Sequence, residues 1–543
     1  MWKEAYLMRT WTINYKRNAV LREYFSRATT DTRCMRNTAN FYIRNTMTGL
    51  RKSPEERTKA ETEVLHDVFT GIQKANLHSE ERYAKKMDQL RQTGGMKSAV
   101  ACSKMKRTVF AYPTREQWFL SYGTLDAIFK ATGNPVYCRM DGQVNQNAIR
   151  KTEKAWVGYF HARKEYLAHP EKFQGKPKIP GYIRTTGSTV WWTIQTARLS
   201  FVHGKAYLRF VHCKEPLCIG KTSAFTGMTY IKTEVKPYHG QFCVMVTFDD
   251  HSKETPVPEH PSRILGVDVG LNNLLAVAGN FGKHPFLIKG RPVKAVNQWF
   301  NKHRAKLLSD RTRGLDSTRS EKNSHALDAL SRKREDVLRD VFYKCAWYLL
   351  QYAKHHNVDV IVVGYNKEQK QEIEMGKANN QAFVSVTFEK LRQCIRVVAA
   401  KLQIPVVEQE ESYTSKADIT AGDTIPTYGE DDEKKVFSGT RTKRGLYRCH
   451  DGKLMNADVN GAANILRKRY PDAFAGQDLS YLQATTNVVE IRDWYVPGGK
   501  KRLHKKHHPS SVAKIRHSER KNRRRELLQV FGKSRKTWQK KAA

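Results

Sequence analysis

Two aspartates stand where the chain offers them little water. Asp268 lies within GVDVGLNNLLA, a run with the apolar density of an interior strand, between Gly266 and Gly270. Asp458 lies within NADVNGA, at the start of a helical segment and again among small residues. A carboxylate held away from water is costly unless something neutralises it. Glycine beside it lets a backbone or a ligand approach closely. Two such groups from distant parts of a chain suit divalent metal, and all-oxygen donors favour magnesium or manganese over zinc. Two ions roughly 3.5–4 Å apart can activate water and stabilise the leaving oxygen of a phosphodiester.

The elements that must position these residues follow from changes in pattern. ILGVDVG and NLLAVAG read as a strand pair, and HPFLIKG (284–290) as a third strand. A basic helical region runs to His356, with Val337, Leu338, Val341, Phe342, Cys345, Ala346 and Leu349 as its apolar stripe. VDVIVVG (358–364) reads as a strand buried on both faces. Residues 386–401 read as a helix, IPVVEQEES (404–412) as a strand and NADVNGAANILRK (456–468) as a helix. Three antiparallel strands followed by parallel ones linked by helices make the ribonuclease H layout. A two-metal site on it wants a third carboxylate, expected at the end of VDVIVVG, but Gly364 stands there. Glu368, Glu372 and Glu374 read as surface charge. The next strand ends in Glu408, Glu410 and Glu411, and one of these can reach the site from beside the first strand.

Upstream, residues 1–130 look helical and basic. Ser53-Pro54-Glu55-Glu56 reads as a capping box opening a helix, with Val64, Leu65, Val68, Phe69 and Ile72 on one face. A second helix is expected from Asn145 to Leu167, with Trp156, Tyr159 and Phe160 on one side. VWWTI, AYLRFVH and GQFCVMVTF read as strands of a small β-barrel. Trp191 and Trp192 on the first of these either stack bases or pack a core.

Four segments together resemble the transposon-encoded RNA-guided nuclease TnpB and its descendants, the compact type V CRISPR effectors. They are GVDVGLNNLLAVA, VDVIVVGYNKEQKQE, QEESYTSKAD and RGLYRCHDGKLMNADVNGAANILRK. NAIRKTEKAWVGYFHARKEY and FQGKPKIPGY look like the wedge region of that family. The resemblance implies that Asp268 and Asp458 are the first and last RuvC aspartates. It also implies a relocated glutamate in a Glu-x-x-Thr-Ser motif, which falls on Glu411, with Glu410 as the fallback. Relatives often carry a CxxC…CxxC zinc ribbon before the last aspartate. Here residues 416–457 hold only Cys449, so no four-ligand zinc site is expected. The acidic GEDDE stretch (429–433) in its place reads as a solvated loop or a lid.

Charge limits the partners. The 543 residues carry 96 Lys and Arg against 53 Asp and Glu, a net charge of +43. Such a chain repels itself unless a polyanion neutralises it, and nucleic acid is the obvious one. No apolar run reaches the ~18 residues of a membrane span. The start lacks a secretory h-region, and the nine dispersed cysteines read as reduced thiols. A cytoplasmic, nucleoid-associated prokaryotic protein is expected.

The tail from Lys500 carries 17 Lys or Arg, with Lys500, Lys501, Arg502, Arg523, Arg524 and Arg525 as candidate nucleic-acid contacts. The expected organisation is a multi-domain α/β chain. A helical recognition region with part of the wedge spans 1–140, and the wedge helix and β-barrel span 141–262. A RuvC-like nuclease domain spans 263–470, with 416–457 as a lid-like insertion, and a polybasic tail spans 471–543. The resemblance implies RNA-guided cleavage of double-stranded DNA beside a short duplex motif. Its cofactors would be two magnesium ions, or manganese, and a guide RNA, with one chain per guide RNA. The alternatives are a guided repressor that does not cut and a guide-independent junction nuclease.

Overall fold

The computed structural model describes residues 6–13, 18–253, 255–313, 324–366, 388–427, 436–443 and 445–490. The candidate tail contacts from Lys500 to Arg525, the GEDDE stretch and Glu368, Glu372 and Glu374 lie outside the described residues. Among those described, no helix is long and apolar enough to cross a membrane.

The first element is β1 (Tyr6–Ile13), a strand within the region whose composition suggested helix. α1 (Ala19–Gly49) follows, with the Asn18 side chain accepting from the Leu21 N–H. The expected helix start at Ser53 makes only a short turn, Pro54–Glu56. α2 (Lys59–Thr93) begins after a second box at Thr58. There the buried Glu61 accepts from the Thr58 N–H at 2.8 Å and from Lys52 Nζ at 2.9 Å. The second box wins because its glutamate is itself buried and bonded to Lys52 as well as to the cap. α3 (Gly95–Lys104), α4 (Tyr122–Ala131) and α5 (Gly142–Ala168) complete the helical part. Its core joins Met35, Ile43, Val64, Val68, Ile72, Phe129 and Trp156. Phe69 is 38% exposed and stacks on Tyr112 rather than joining the buried face.

β2 (Val190–Thr193), β3 (Ala197–Val202), β4 (Lys205–Phe210), β5 (Leu217–Lys221), β6 (Thr229–Tyr238) and β7 (Gln241–Lys253) form two antiparallel sheets. One has the order β1-β7-β6-β2 and the other β3-β4-β5. Both close on one core of Phe25, Trp192, Phe210, Val246 and Phe248.

β8 (Ile264–Asp268), β9 (Asn273–Gly279) and β10 (Phe286–Lys289) are followed by α6 (Arg291–Thr312) and α7 (His325–His355). Then come β11 (Val360–Tyr365), α8 (Phe388–Leu402) and β12 (Val406–Glu410). A three-stranded sheet of β13 (Thr440–Lys443), β14 (Leu446–Arg448) and β15 (Leu454–Asn456) precedes α9 (Ala457–Arg469). α10 (Ser480–Gln483) and β16 (Asn487–Val489) end the described chain. The main sheet has the order β12-β11-β8-β9-β10-β16. β8 runs antiparallel to β9 and parallel to β11, which runs parallel to β12. This is the mixed sheet that the element order implied.

Alternation along the strands sorts the side chains. Leu265, Val267, Ile361 and Val363 pack with α7 and α8 on one face. Ile264, Val360 and Val362 pack with Ala462, Ile465 and Leu466 of α9 on the other. By the same period Gly266, Asp268 and Gly364 face α9. A Cβ at Gly266 would lie 2.1 Å from the Ala462 carbonyl oxygen, so glycine is what lets α9 lie on β8.

Gly266→Ala should therefore lower stability by about 1–3 kcal/mol, because the obstacle is backbone and the helix must move. Gly158→Ala in α5, where a Cβ meets nothing within 4 Å, should instead be neutral or stabilising by up to about 1 kcal/mol. Thermal melts of the two variants check this. A Gly266→Ala protein melting with the wild type would contradict the close approach.

Candidate active site

Asp268 ends β8, at the carboxyl edge of the parallel strands. Val363 is in register with Val267, so Gly364 sits beside Asp268 on the neighbouring strand. Beyond it, Tyr365 is in register with Glu410, and the Glu411 N–H donates to the Tyr365 carbonyl at 3.2 Å. Glu411 therefore follows the end of β12, on the α9 side by alternation from Val407. A Cβ built on Gly364 would lie 2.7 Å from Glu411 Oε2 and 2.6 Å from Ile465 Cδ1. The Glu411 carboxylate thus occupies the space that a side chain at 364 would need.

The loop after Glu411 is held in three ways. The Thr414 hydroxyl donates to the Glu411 carbonyl at 2.8 Å. Asn464 Nδ2 of α9 donates to the carbonyls of Thr414 at 2.9 Å and Ala417 at 2.7 Å, and Asn460 Nδ2 also reaches Ala417, at 2.7 Å. Tyr413 adopts φ +62°, a left-handed conformation that a bulky residue keeps only when its surroundings impose it. These contacts fix Glu411 to the helix that carries Asp458.

Asp458 lies in the first turn of α9, where the helix dipole favours a carboxylate. The Asn456 side chain caps the helix by accepting from the N–H groups of Asp458 at 3.0 Å and Val459 at 3.3 Å. Asn273 Nδ2 donates to Asp458 Oδ2 at 2.6 Å, and Lys289 Nζ donates to Asn273 Oδ1 at 3.2 Å. On the solvent side Arg441 of β13 lies 3.9 Å from Asp458 Oδ1. Gly461 brings α9 close to Asp268: a Cβ there would be 3.1 Å from Asp268 Oδ2.

The electrostatics show that the three carboxyls share one region. Burial, and then the charges of Glu411 and Asp458, push the Asp268 carboxyl well above the usual carboxylate range, against a smaller pull from Arg441. Burial raises Glu411 to about 7, with Arg392 opposing and Glu410 adding to the rise. Asp268 is the member on which both others act. Among the described residues, no group of three or more His, Cys, Asp or Glu side chains is arranged to hold one ion as it stands. The donors fit a divalent cation in their chemistry, all oxygen and all anionic.

Glu410 is turned elsewhere. It accepts from the Ser412 N–H at 2.7 Å, from the Ser412 hydroxyl and from Lys468 Nζ at 2.8 Å. Burial works upward on its carboxyl, but the bonds from Lys468 and Ser412 outweigh it and hold the group below its usual range. Glu408 is exposed and paired with Arg396 and, at 3.8 Å, with Arg392. Trp192 is 1% exposed, between Tyr24, Phe25 and Phe210, so it packs the core and cannot stack a base. Trp191 is half-buried, and two lysines cover its ring.

Asn273, Lys289 and Arg441 had no motif to mark them. Within residues 416–457, the fully buried Asp418 accepts from the His450 N–H at 2.6 Å and from the Thr420 hydroxyl at 2.7 Å. Asp423 Oδ2 accepts from the N–H groups of Asp418 at 2.8 Å and Ser438 at 2.9 Å. Carboxylate–backbone bonds tie this loop to the small sheet.

Comparisons with known proteins fall on the same residues. A family model described as a probable transposase, OrfB_IS605, matches residues 241–370, which include Asp268 and Gly364. A model of the TNB domain of Cas12f1-like proteins matches 388–465, which include Glu411, Arg441 and Asp458. A TnpB-like protein, ORF457, of Acidianus two-tailed virus is 26% identical over 216 residues, 38% of this chain and 42% of that protein. The chain thus matches less than half the length of that relative. Among solved structures, a Cas12f1–sgRNA–target DNA complex aligns with a TM-score of 0.43 at 12% identity, covering 86% of this chain and 99% of that one. C2c1 of Alicyclobacillus acidoterrestris with single-guide RNA aligns with a TM-score of 0.28 at 9% identity, covering 82% and 70%. The resemblance to TnpB and the compact type V effectors read from the motifs is found by the family models and the curated relative too.

The raised Glu411 makes stability depend on pH. Its carboxyl titrates near 4.5 when unfolded and about 7 when folded, so between these values the folded state holds the extra proton. Stability falls as pH rises through that window and stays lowered above it. Glu411→Gln removes this loss. In EDTA the variant should melt above the wild type at pH 8, and the gap should close toward pH 4.5. A gap independent of pH would mean that the carboxyl is not held as described.

Proposed function

We propose that this chain, TnpB-like in the segments that carry Asp268, Glu411 and Asp458, is an RNA-guided endonuclease acting on double-stranded DNA. The observation that carries the reading is the convergence of three carboxyls from β8, the end of β12 and α9, with Glu411 filling the space beside Gly364. Three mutually repelling acids in one low-dielectric recess are relieved by cations, and hard divalent ions match the donors. Bound there, magnesium or manganese would supply Lewis-acid stabilisation and a more acidic water for phosphodiester hydrolysis.

The chain's own residues supply the rest. Asp268, on which the charges of both Glu411 and Asp458 act, would hold the cations together with those two carboxylates. The amide of Asn273 holds the Asp458 carboxylate in one rotamer. Arg441, exposed beside Asp458, is placed to meet the phosphate of an incoming strand. Sequence choice is assigned to base pairing with a guide RNA, while the protein reads backbone and shape. The net charge of +43 supports that division of labour.

Asp268→Ala, Asp458→Ala and Glu411→Ala should each reduce magnesium-dependent cleavage of a guided target at least about 100-fold, more than loss of an outer-shell partner costs. Guided DNA binding should survive. Glu410→Ala should keep most activity, since its carboxyl serves Lys468 and Ser412. Gly364→Glu placed in Glu411→Ala should recover part of the cleavage, because removing Glu411 vacates the space and Ile465 Cδ1 is a movable tip. Full cleavage by Asp268→Ala would remove the nuclease reading. Guided binding without cleavage by the wild type would favour a repressor, and cleavage without RNA a junction nuclease.

A further inference from the structure

β9 carries a bulge at the edge of the carboxylate recess. Ile288 of β10 is in register with Leu275, but the next residue, Lys289, is in register with Asn273, so Leu274 is left without a partner on β10. A residue inserted in this way reverses the facing of those beyond it. Ala276 and Ala278 pack on the α9 side, while Val277, Leu275 and also Leu274 pack with α7 and α8 on the other. Plain alternation from Ala276 would send Asn273 to the α7 side as well. The bulge turns it to the α9 side instead, where its side chain meets Asp458. On β10 the alternation is regular: Leu287 packs on the α9 side and Ile288 on the other, so Lys289 falls on the α9 side. The two strands are tied just beyond this point. The Gly290 N–H donates to the Asn272 carbonyl at 2.7 Å, and Lys294 Nζ donates to the Asn272 side-chain oxygen.

We propose that Lys289 is a positioning residue for the cation centre and acts on Asp458 through the Asn273 amide. The proposal rests on the metal-dependent reading above. Asn273 is 8% exposed, and both ends of its amide are engaged. Nδ2 donates to Asp458 Oδ2 at 2.6 Å, and Oδ1 accepts from Lys289 Nζ at 3.2 Å. Turned over, the amide would set its oxygen against the carboxylate and its N–H groups against the ammonium. The lysine and the aspartate therefore enforce the same orientation. The ammonium also polarises the amide and makes Nδ2 a stronger donor, the cooperative gain of a chain of hydrogen bonds. An amide oxygen is itself a hard ligand for divalent ions. With Lys289 on that oxygen, the amide serves Asp458 rather than an ion. Asp458 Oδ2 is taken by the amide, which leaves Oδ1, the oxygen 3.9 Å from Arg441, to face a cation. Loss of the lysine would release the amide to turn, and the Asp458 carboxylate would lose its fixed setting.

Manganese titration of the full chain stripped of nucleic acid, read by electron paramagnetic resonance, tests this without cleavage. Lys289→Met keeps the apolar stem and removes the ammonium. It should weaken manganese binding about tenfold or more, the usual cost of losing an outer-shell partner. Asn273→Ala should weaken binding at least as much. Lys289→Arg, which keeps a charged donor, should recover most of the affinity. Lys289→Met is then placed in Asn273→Ala. A lysine that acts through the amide has nothing left to act on there, so the double variant should bind manganese as Asn273→Ala does. A general effect of lost charge or weakened folding would persist in that background, and additive losses would overturn the proposal. Wild-type affinity in Lys289→Met would overturn it too, while leaving the cation centre standing. A wild-type chain that binds no manganese would remove the centre and this proposal with it.

Discussion

Bringing the carboxyls of Asp268, Glu411 and Asp458 into one recess costs electrostatic energy, and the surrounding chain is arranged to hold them there. Burial pushes the Asp268 and Glu411 carboxyls upward, and the charges of Glu411 and Asp458 add to the rise at Asp268. The fold opposes that repulsion with backbone rather than with flexible side chains. Asp268 ends a central strand, Glu411 is tied to Tyr365 and to α9, and Asp458 sits behind an Asn456 cap. Small residues at Gly266 and Gly461 let α9 lie close enough to β8 for the aspartates to meet.

The same constraint links Gly364 to Glu411. Both positions open into one volume, bounded by Ile465, and only one carboxylate fits. A glutamate at position 364 would start from near the end of β11. One after β12 needs a loop that holds still, which Asn460, Asn464 and the left-handed Tyr413 provide. Glu410 shows the alternative outcome for an acid on this edge. It has found Lys468 and Ser412 and is spent on holding the loop.

Much of this was legible in residue pattern. Apolar runs around Asp268 and before Gly364 marked the strands, and the small residues around Asp458 marked a helix packed close to a sheet. The strand β1 was not legible, because YLMRTWTI gains its strand character from pairing with β7, more than 200 residues away. The capping box read at Ser53 opens only a short turn, and α2 starts instead from a second box at Thr58, whose Glu61 is buried. Arg441, Asn273 and Lys289 are ordinary polar residues in sequence and acquire their roles through register: Lys289 is opposite Asn273 across β10 and β9. Trp191 and Trp192 were indistinguishable as letters, and the alternation of a single strand sends one into the core and the other under two lysines.

The central claim is that Glu411, and not its neighbour, completes a divalent-cation centre with the two aspartates. Manganese binding to the full chain stripped of nucleic acid, followed by electron paramagnetic resonance, tests it without relying on cleavage. The account predicts bound manganese in the wild type and in Glu410→Gln, and its loss in Asp268→Asn and in Glu411→Gln. Manganese held by Glu411→Gln as tightly as by the wild type would contradict it.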